Sequence, residues 1–183
     1  PYRLAVGQAL LMPGGNENTN RRTIVSNGYA YPFISPWVLE QTLPYLTEIA
    51  IFSYGFTGQG ELVPPVMDDT WVIRAAVEFE TLTPFGPDGQ FNNNLITAVV
   101  NNPSAEQQLF QNLRIVMQEK GYQGLDIDFE YILAEDRDAF TRFVQNAVKF
   151  FNALGYQVSV ALAPKTSSDQ VGLLYEGKDY PAL

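Results

Sequence analysis

Three acidic residues alternate with apolar ones in the segment GYQGLDIDFEYI, residues 121–132. The acids are Asp126, Asp128 and Glu130. Successive side chains of a β-strand point to opposite faces, so the three acids share one face of a strand. The apolar residues between them point to the other face, where helices would cover them.

Three explanations fit such an acidic face. It can be the solvated side of an edge strand, or a site for Mg²⁺, Ca²⁺ or Mn²⁺, which prefer carboxylate oxygens. It can also perform acid–base catalysis, because crowded carboxylates cannot all ionise and a carboxyl with a raised pKa donates a proton near neutral pH. Glu130 lies at the C-terminal end of the segment, nearest the substrate mouth of a parallel barrel. Gly121 and Gly124 bring the backbone in closely before the acids, which argues against a simple edge strand.

The overall composition narrows the classes of function. The chain has 183 residues, 46% hydrophobic and 17% charged, which indicates one globular domain. A net charge of -9 disfavours nucleic acid and anionic membranes as partners. The chain contains no His and no Cys, which excludes His-dependent catalysis, thiol chemistry and most zinc sites. No apolar run is long enough to predict a membrane span.

Strand-like and helix-like segments alternate along residues 23–183. Strands are predicted at 23–31, 48–56, 71–79, 121–132 and 157–164. Helices are predicted after Ser35, from an N-cap at Ser104 to Gly121, and from about residue 135 to 154. This alternation predicts a parallel α/β sheet, either open and doubly wound or the first five units of an eight-unit barrel. The polar residues 14–22 are predicted to link a short piece, residues 1–13, to this domain.

The acidic strand resembles the fourth-strand signature of family 18 glycoside hydrolases, the chitinase-like (β/α)8 TIM barrels, usually D-G-x-D-x-D-x-E. Gly124 matches its glycine, and Asp126, Asp128 and Glu130 match its last three acids. Gln123 stands where the family has its first Asp, a departure that leaves the catalytic end intact. The resemblance covers roughly residues 23–183 and implies about the first five β/α units of an incomplete barrel.

A second resemblance is narrower. The segments NGYAYPFIS, GLDIDFEYI and VSVALAPKTSSDQVGLLYEGKDYPAL are similar to the spore-cortex-lytic branch of that family, bacterial enzymes that carry LysM modules ahead of the barrel. YRLAVGQALLMP, within residues 1–13, resembles the tail of a LysM repeat. This branch implies hydrolysis of β-1,4 bonds at N-acetylglucosamine in spore-cortex peptidoglycan. It also implies an extracellular, cell-wall or spore-associated location, with any export signal outside this sequence.

The family's mechanism implies a role for each acid. The substrate's acetamido oxygen attacks its own anomeric carbon, and the configuration there is retained. Glu130 is expected to protonate the leaving oxygen and later to deprotonate water. Asp128 is expected to hold the acetamide N–H, with Asp126 hydrogen-bonded to it. The resemblance implies no metal and no cofactor.

Weaker candidates for substrate binding lie where predicted strands end. They are Tyr29, Tyr31, Tyr54, Glu78 and Lys165. Ordinary packing at the rim of a barrel explains each of them equally well. The sequence therefore nominates these residues without separating the two explanations.

Family members also carry a sixth-strand tyrosine that contacts the acetamide, and it has no counterpart here. We therefore expect this chain to be a fragment that is weak or inactive alone. Open sheet edges predict self-association. Chitin hydrolysis, a non-catalytic chitinase-like lectin and a metal-dependent enzyme on an open sheet are the alternative functions.

Overall fold

The computed structural model describes residues 24–73 and 78–183. The predicted LysM-like tail, residues 1–13, and the linker, residues 14–22, lie outside the described residues. None of the described helices is both long and apolar enough to cross a bilayer.

Five parallel strands form one sheet in the order of the chain. They are β1 (Asn27–Ala30), β2 (Glu48–Phe56), β4 (Glu78–Leu82), β5 (Gly124–Ile127) and β6 (Gln157–Val160). A short strand, β3 (Leu62–Val63), pairs antiparallel with the end of β2. A doubly wound sheet reverses its strand order at a switch point, whereas a (β/α)8 barrel adds each strand beside the last. The sequential order is that of a barrel segment and confirms the predicted α/β class.

Helices connect these strands. They are α1 (Pro36–Thr42), α2 (Thr70–Ile73), α3 (Asn94–Val100), α4 (Pro103–Lys120) and α5 (Arg137–Asn152). The helix predicted after Ser35 is confirmed, with Pro36 in its first turn. Left-handed glycines follow the two long helices, Gly121 with φ 86° as predicted and Gly155 with φ 89°. Short helix α3 was not predicted from the sequence.

The predicted N-cap of α4 is wrong by two residues. Asn102, not Ser104, caps the helix, and its side-chain oxygen accepts bonds from the backbone N–H groups of Ser104 and Ala105 at 3.1 and 3.3 Å. Pro103 then occupies the first helical position, where its missing N–H has no consequence. Asn is as good a cap as Ser, so the sequence pattern could not separate the two positions.

The third predicted strand, residues 71–79, is also wrong in its limits. Its first part belongs to α2, where the N–H groups of Val72 and Ile73 bond to the carbonyl of Asp69. The strand itself, β4, begins only at Glu78. Periodicity cannot distinguish a short apolar strand from one buried helical turn, and here the tertiary contacts decide.

The acidic segment has one covered face, as its alternation predicted. Leu125, Ile127 and Phe129 are fully buried. The ring of Phe129 stacks on Phe143 of α5, with centroids 5.6 Å apart. On the other face of the sheet, Asp126 lies in register between Thr81 of β4 and Ser159 of β6. Burial of the apolar face thus holds the acids on the opposite face.

Gly124 permits a close contact on the acid-bearing face. A Cβ atom at this position would lie 2.3 Å from the ring of Phe79 on β4. The glycine that the family motif requires therefore makes room for an aromatic ring of the neighbouring strand.

We expect Gly124→Ala to lower the free energy of unfolding by about 1–3 kcal/mol, because the added methyl group overpacks this contact. Urea denaturation of the 183-residue chain measures the change. Adding Phe79→Leu to Gly124→Ala should recover part of the loss, since the ring is then smaller. Equal stability of Gly124→Ala and the wild-type chain would contradict the assigned contact.

The outer strands of the sheet have open sides. In the described part of the chain, β1 pairs only with β2 and β6 only with β5. Unpaired strand edges are templates for association with another chain. The two edges are therefore where the self-association expected from the sequence would occur.

We expect the 183-residue chain to form dimers or larger species in light scattering. Val158→Pro should reduce this association, because proline removes an amide hydrogen at an alternating position between Gln157 and Ser159 of β6. Val25→Pro, placed before β1 begins, is the matched control. A monodisperse monomer at high protein concentration would count against pairing through the edges.

Candidate active site

Asp126 is fixed by two hydroxyl groups from separate strands. Its carboxylate accepts a hydrogen bond from the Tyr29 hydroxyl of β1 at 2.7 Å and one from Ser159 Oγ of β6 at 2.6 Å. The residue is 2% exposed. Hydrogen bonds to both oxygens stabilise a carboxylate in such a buried place. The side chain of Asp126 is therefore held in one position at the buried end of the acid series.

Asp128 follows directly after β5 and extends the strand's alternation. Its backbone N–H donates to the carbonyl oxygen of Leu82 at 3.0 Å. Burial, followed by the charges of Glu130 and Asp126, raises the pKa of Asp128 to about 6, while Lys178 acts in the opposite direction. Asp128 is therefore the crowded carboxyl whose pKa is raised, as the sequence led us to expect for one of the three.

Glu130 lies at the open end of the acid series. It is partly exposed, whereas Asp126 and Asp128 are buried. The next residue, Tyr131, has φ 51°, so the chain turns sharply after Glu130 through the left-handed region. The predicted strand over residues 121–132 is thus shorter than expected, and Glu130 lies on the loop that follows it. Exposure increases from Asp126 to Glu130, so Glu130 is the acid that solvent reaches most easily.

The two predicted tyrosines of β1 lie beside this site in different ways. Tyr29 bonds Asp126, and burial and the three acids raise the pKa of its hydroxyl. Tyr31 stacks on Phe33, with centroids 4.9 Å apart, and lies 5.3 Å from Phe52. The Tyr29 ring meets Phe52 as well, edge to face at 5.8 Å. Phe52 therefore links the acid site to an aromatic surface.

This surface lines a groove at the C-terminal ends of β1, β2 and β4. The groove has a volume of about 700 Å³. Aromatic, proline and aliphatic side chains dominate its wall, among them Tyr31, Phe33, Phe52, Pro65, Met67 and Phe85. Apolar walls with few polar groups are typical of ligand sites.

Tyr54 is on the opposite face of the sheet from the acids. Its register partner on β4 is Leu82, which pairs with the helix-covered Ile127 of β5. The ammonium of Lys120 lies 5.3 Å from the Tyr54 ring centroid, and Lys120 also forms an ion pair with buried Asp69. The structure therefore separates Tyr54 from the acids and places it in a polar cluster under the helices.

The same cluster contains one further buried acid. Glu80 of β4 is fully buried, and its two carboxyl oxygens have no hydrogen-bond partner. Burial and the charge of Asp69 raise its pKa well above the usual range. Tyr122 donates its hydroxyl hydrogen to Asp69 and closes the cluster. These groups lie on the helix-covered side of the sheet, away from the acid face.

The two remaining predicted residues, Glu78 and Lys165, lie at opposite ends of the sheet. Glu78 begins β4 instead of ending the third strand, so its backbone lies at the N-terminal end of the sheet, because α2 displaces that strand along the chain. Lys165 follows β6, and its ammonium lies over the ring of Tyr180, 4.1 Å from the centroid. Lys165 remains at the C-terminal rim, and Glu78 does not.

Sequence reasoning did not single out Lys178 and Ser159. Ser159 has the alternating spacing of β6, which brings it into register with Asp126. Lys178 is 2% exposed and donates to the carbonyl oxygen of Ala161 at 2.8 Å. The signal in the sequence that could have found it is its location in the segment YEGKDY, which follows the fifth predicted strand. Across residues 24–73 and 78–183, no group of three or more acidic side chains is arranged to hold a metal ion.

Known proteins share this architecture. A cortical fragment-lytic enzyme of Bacillus subtilis is 29% identical over 173 residues, which is 88% of this chain and 39% of that protein. The crystal structure of the Bacillus megaterium spore cortex-lytic enzyme SleL superposes with a TM-score of 0.78 at 28% identity, covering 99% of this chain and 43% of SleL. A class V chitinase from Pseudomonas fluorescens shares the fold, with a TM-score of 0.76 at 22% identity, over 86% of this chain and 50% of its own. No protein-family model matches the chain.

The sequential parallel strands form part of a chitinase-like (β/α)8 barrel, the fold that the chain shares with SleL and the class V chitinase. The chain is similar to the spore-cortex-lytic enzymes, which confirms the resemblance of its segments to the spore-cortex-lytic branch of the family 18 glycoside hydrolases. The chain spans about two fifths of the length of the curated relatives it matches.

We expect Asp128→Asn to stabilise the protein by about 2 kcal/mol at pH 7.5 and to have little effect at pH 4. The raised pKa of Asp128 means that the folded state binds its proton more tightly than the unfolded state does. Wild-type stability therefore falls as the pH rises from about 4 through about 6, and the Asn variant escapes this loss. Urea denaturation at both pH values measures the difference.

Asp126→Asn is the matched control for this prediction. It changes the same group on the same segment, but it weakens the bonds from Tyr29 and Ser159. We expect it to destabilise the fold at pH 7.5. Stabilisation by both variants, or by neither, would contradict the different environments assigned to the two aspartates.

Proposed function

We propose that this chain carries the catalytic acids of a glycoside hydrolase that cleaves β-1,4 bonds at N-acetylglucosamine in bacterial spore-cortex peptidoglycan. The observation that carries the proposal is the graded acid series. Asp126 is bound by two hydroxyls, Asp128 is buried with a raised pKa, and Glu130 reaches the open rim.

Each acid has a role in a substrate-assisted, retaining mechanism. Glu130 protonates the leaving glycosidic oxygen as the substrate's acetamido oxygen attacks the anomeric carbon, and it later takes a proton from the incoming water. Asp128, charged above its pKa of about 6, accepts the acetamide N–H and balances the positive charge of the oxazolinium ring. Asp126 lies next to Asp128 in the acid series, and hydrogen bonds from Tyr29 and Ser159 fix the Asp126 carboxylate.

The aromatic groove supports a glycan as the substrate. It adjoins the acids through Phe52, which contacts both Tyr29 and Tyr31. Flat apolar rings beside a few polar groups suit sugar rings, which have apolar faces and hydroxyl edges. Tyr31 and Lys165 are proposed as contacts at the rim, and Tyr29 as a contact that also orients Asp126.

Peptidoglycan is favoured over chitin by the relatives named for cortex lysis. The chitinases among the structural neighbours share the fold at lower identity, so chitin is the second candidate. A spore or cell-wall location follows from the first choice, with residues 1–13 proposed as the end of a LysM-like module. Retention of Glu130 argues against a non-catalytic lectin, because loss of the proton donor would remove the chemistry.

We expect Glu130→Gln to lower the release of reducing ends from cortex-type peptidoglycan by roughly 10²–10⁴-fold, because Gln cannot donate a proton. The assay uses the natural protein that carries this chain and the 183-residue chain alone, which we expect to be weak or inactive. Chitin oligosaccharides, tested in parallel, decide between the two glycans.

Glu135→Gln is the control, since it makes the same change at an exposed residue five positions along the chain. A chelator should leave activity unchanged, whereas a metal-dependent enzyme would lose it. Equal activity of Glu130→Gln and the wild-type protein would overturn the role of Glu130. Full activity of the short chain alone would show that it is sufficient for catalysis.

A further inference from the structure

The segment of residues 175–180 packs tightly against the acid site. A Cβ atom on Gly177 would lie 2.3 Å from the carbonyl oxygen of Ile132, two residues beyond Glu130. The Tyr180 hydroxyl donates to the carbonyl oxygen of Ala163 at 2.6 Å, beyond the end of β6. Contacts on two sides therefore leave the backbone of this segment little freedom.

These contacts place the side chain of Lys178 beside the acids. Its ammonium donates to the carbonyl of Ala161, whose own N–H donates to the carbonyl of Ile127 at 3.0 Å. Asp126 is in register with Ser159, so Ala161, two residues further along, lies level with Asp128. The Lys178 ammonium therefore lies at the height of the second acid.

A lysine buried to this extent needs charge compensation. Lys178 is 2% exposed, and a single carbonyl acceptor does not offset the loss of hydration of an ammonium group. The opposing charges that act on it are Asp128, Glu130 and Asp126. No direct ion pair joins Lys178 to these acids in the described residues. Its charge thus acts on the acids without a direct ion pair.

We propose that Lys178 is a positioning residue of this site, whose buried charge balances the three acids and keeps Asp128 ionised for the substrate's acetamide group. This inference rests on the proposed function for its catalytic meaning. The electrostatic coupling between Lys178 and Asp128 is a property of the folded chain and can be measured without substrate.

The charges around Asp128 have opposing effects. Glu130 and Asp126 raise its pKa, whereas Lys178 lowers it. From β1, Tyr29 faces the acids as a neutral phenol, and Glu48 at the start of β2 acts on Asp126. Among the described groups that act on Asp128, Lys178 is the one that favours the charged form.

The test is a ¹³C NMR titration of the Asp128 carboxyl in the 183-residue chain. Lys178→Gln removes the charge but keeps a donor for Ala161, and we expect the Asp128 midpoint to rise by about one pH unit. Lys178→Arg keeps the charge and should stay close to wild type. Lys149→Gln, an exposed position on α5, is the control for a change in net charge.

An unchanged midpoint in Lys178→Gln would overturn the proposal, as would equal shifts in the Gln and Arg variants. A reciprocal measurement needs no change at Lys178. Asp128→Asn should lower the pKa of the Lys178 ammonium, because the Asp128 charge raises that pKa in the wild-type chain. ¹⁵N NMR of Lys178 measures the change. This result remains decisive if Lys178→Gln does not fold. An unchanged pKa of Lys178 in Asp128→Asn would also reject the coupling.

Activity separates this inference from the function on which it rests. If the natural protein hydrolyses the glycan, the acidic limb of its kcat/KM profile should move to higher pH in Lys178→Gln. If it does not hydrolyse the glycan while the titrations behave as expected, the proposed function fails and the electrostatic role of Lys178 stands. If the protein hydrolyses the glycan but the pH profile of Lys178→Gln equals that of the wild type, the role of Lys178 is rejected and the proposed function stands.

Discussion

The site depends on one constraint, the burial of one face of the acidic segment under helices. Leu125, Ile127 and Phe129 are completely buried, and Phe129 is locked among the rings of Phe56 and Phe143. Because side chains alternate along an extended backbone, this packing forces every second residue to the inner face. The three carboxylates therefore lie on one face of the segment. Burial of the apolar face supplies the free energy that keeps them close together.

Crowding three acids is unfavourable, and the structure offsets it differently at each position. Hydroxyl donors satisfy the innermost acid, the charge of a buried lysine acts on the middle one, and solvent reaches the outermost. The environments, not the residue types, therefore make Asp128 and Glu130 suited to different tasks.

Much of the architecture could be predicted from local patterns. The acid spacing, the glycines after α4 and α5, and the alternation of strands and helices all have local physical causes. Predictions failed where two residues offer the same local chemistry, as Asn102 and Ser104 do at the start of α4. They also failed at α2, where one apolar turn resembles a strand until its tertiary contacts are known.

By itself, the sequence determined the class of fold and the three acids, because alternation and the family motif are properties of consecutive residues. Only the tertiary structure decided which other side chains meet those acids. It brought in Tyr29, Ser159 and Lys178 from distant elements, and it turned Tyr54 to the covered face and moved Glu78 to the opposite end of its strand. Such meetings depend on strand register and on the course of loops, which are set by packing across the whole sheet.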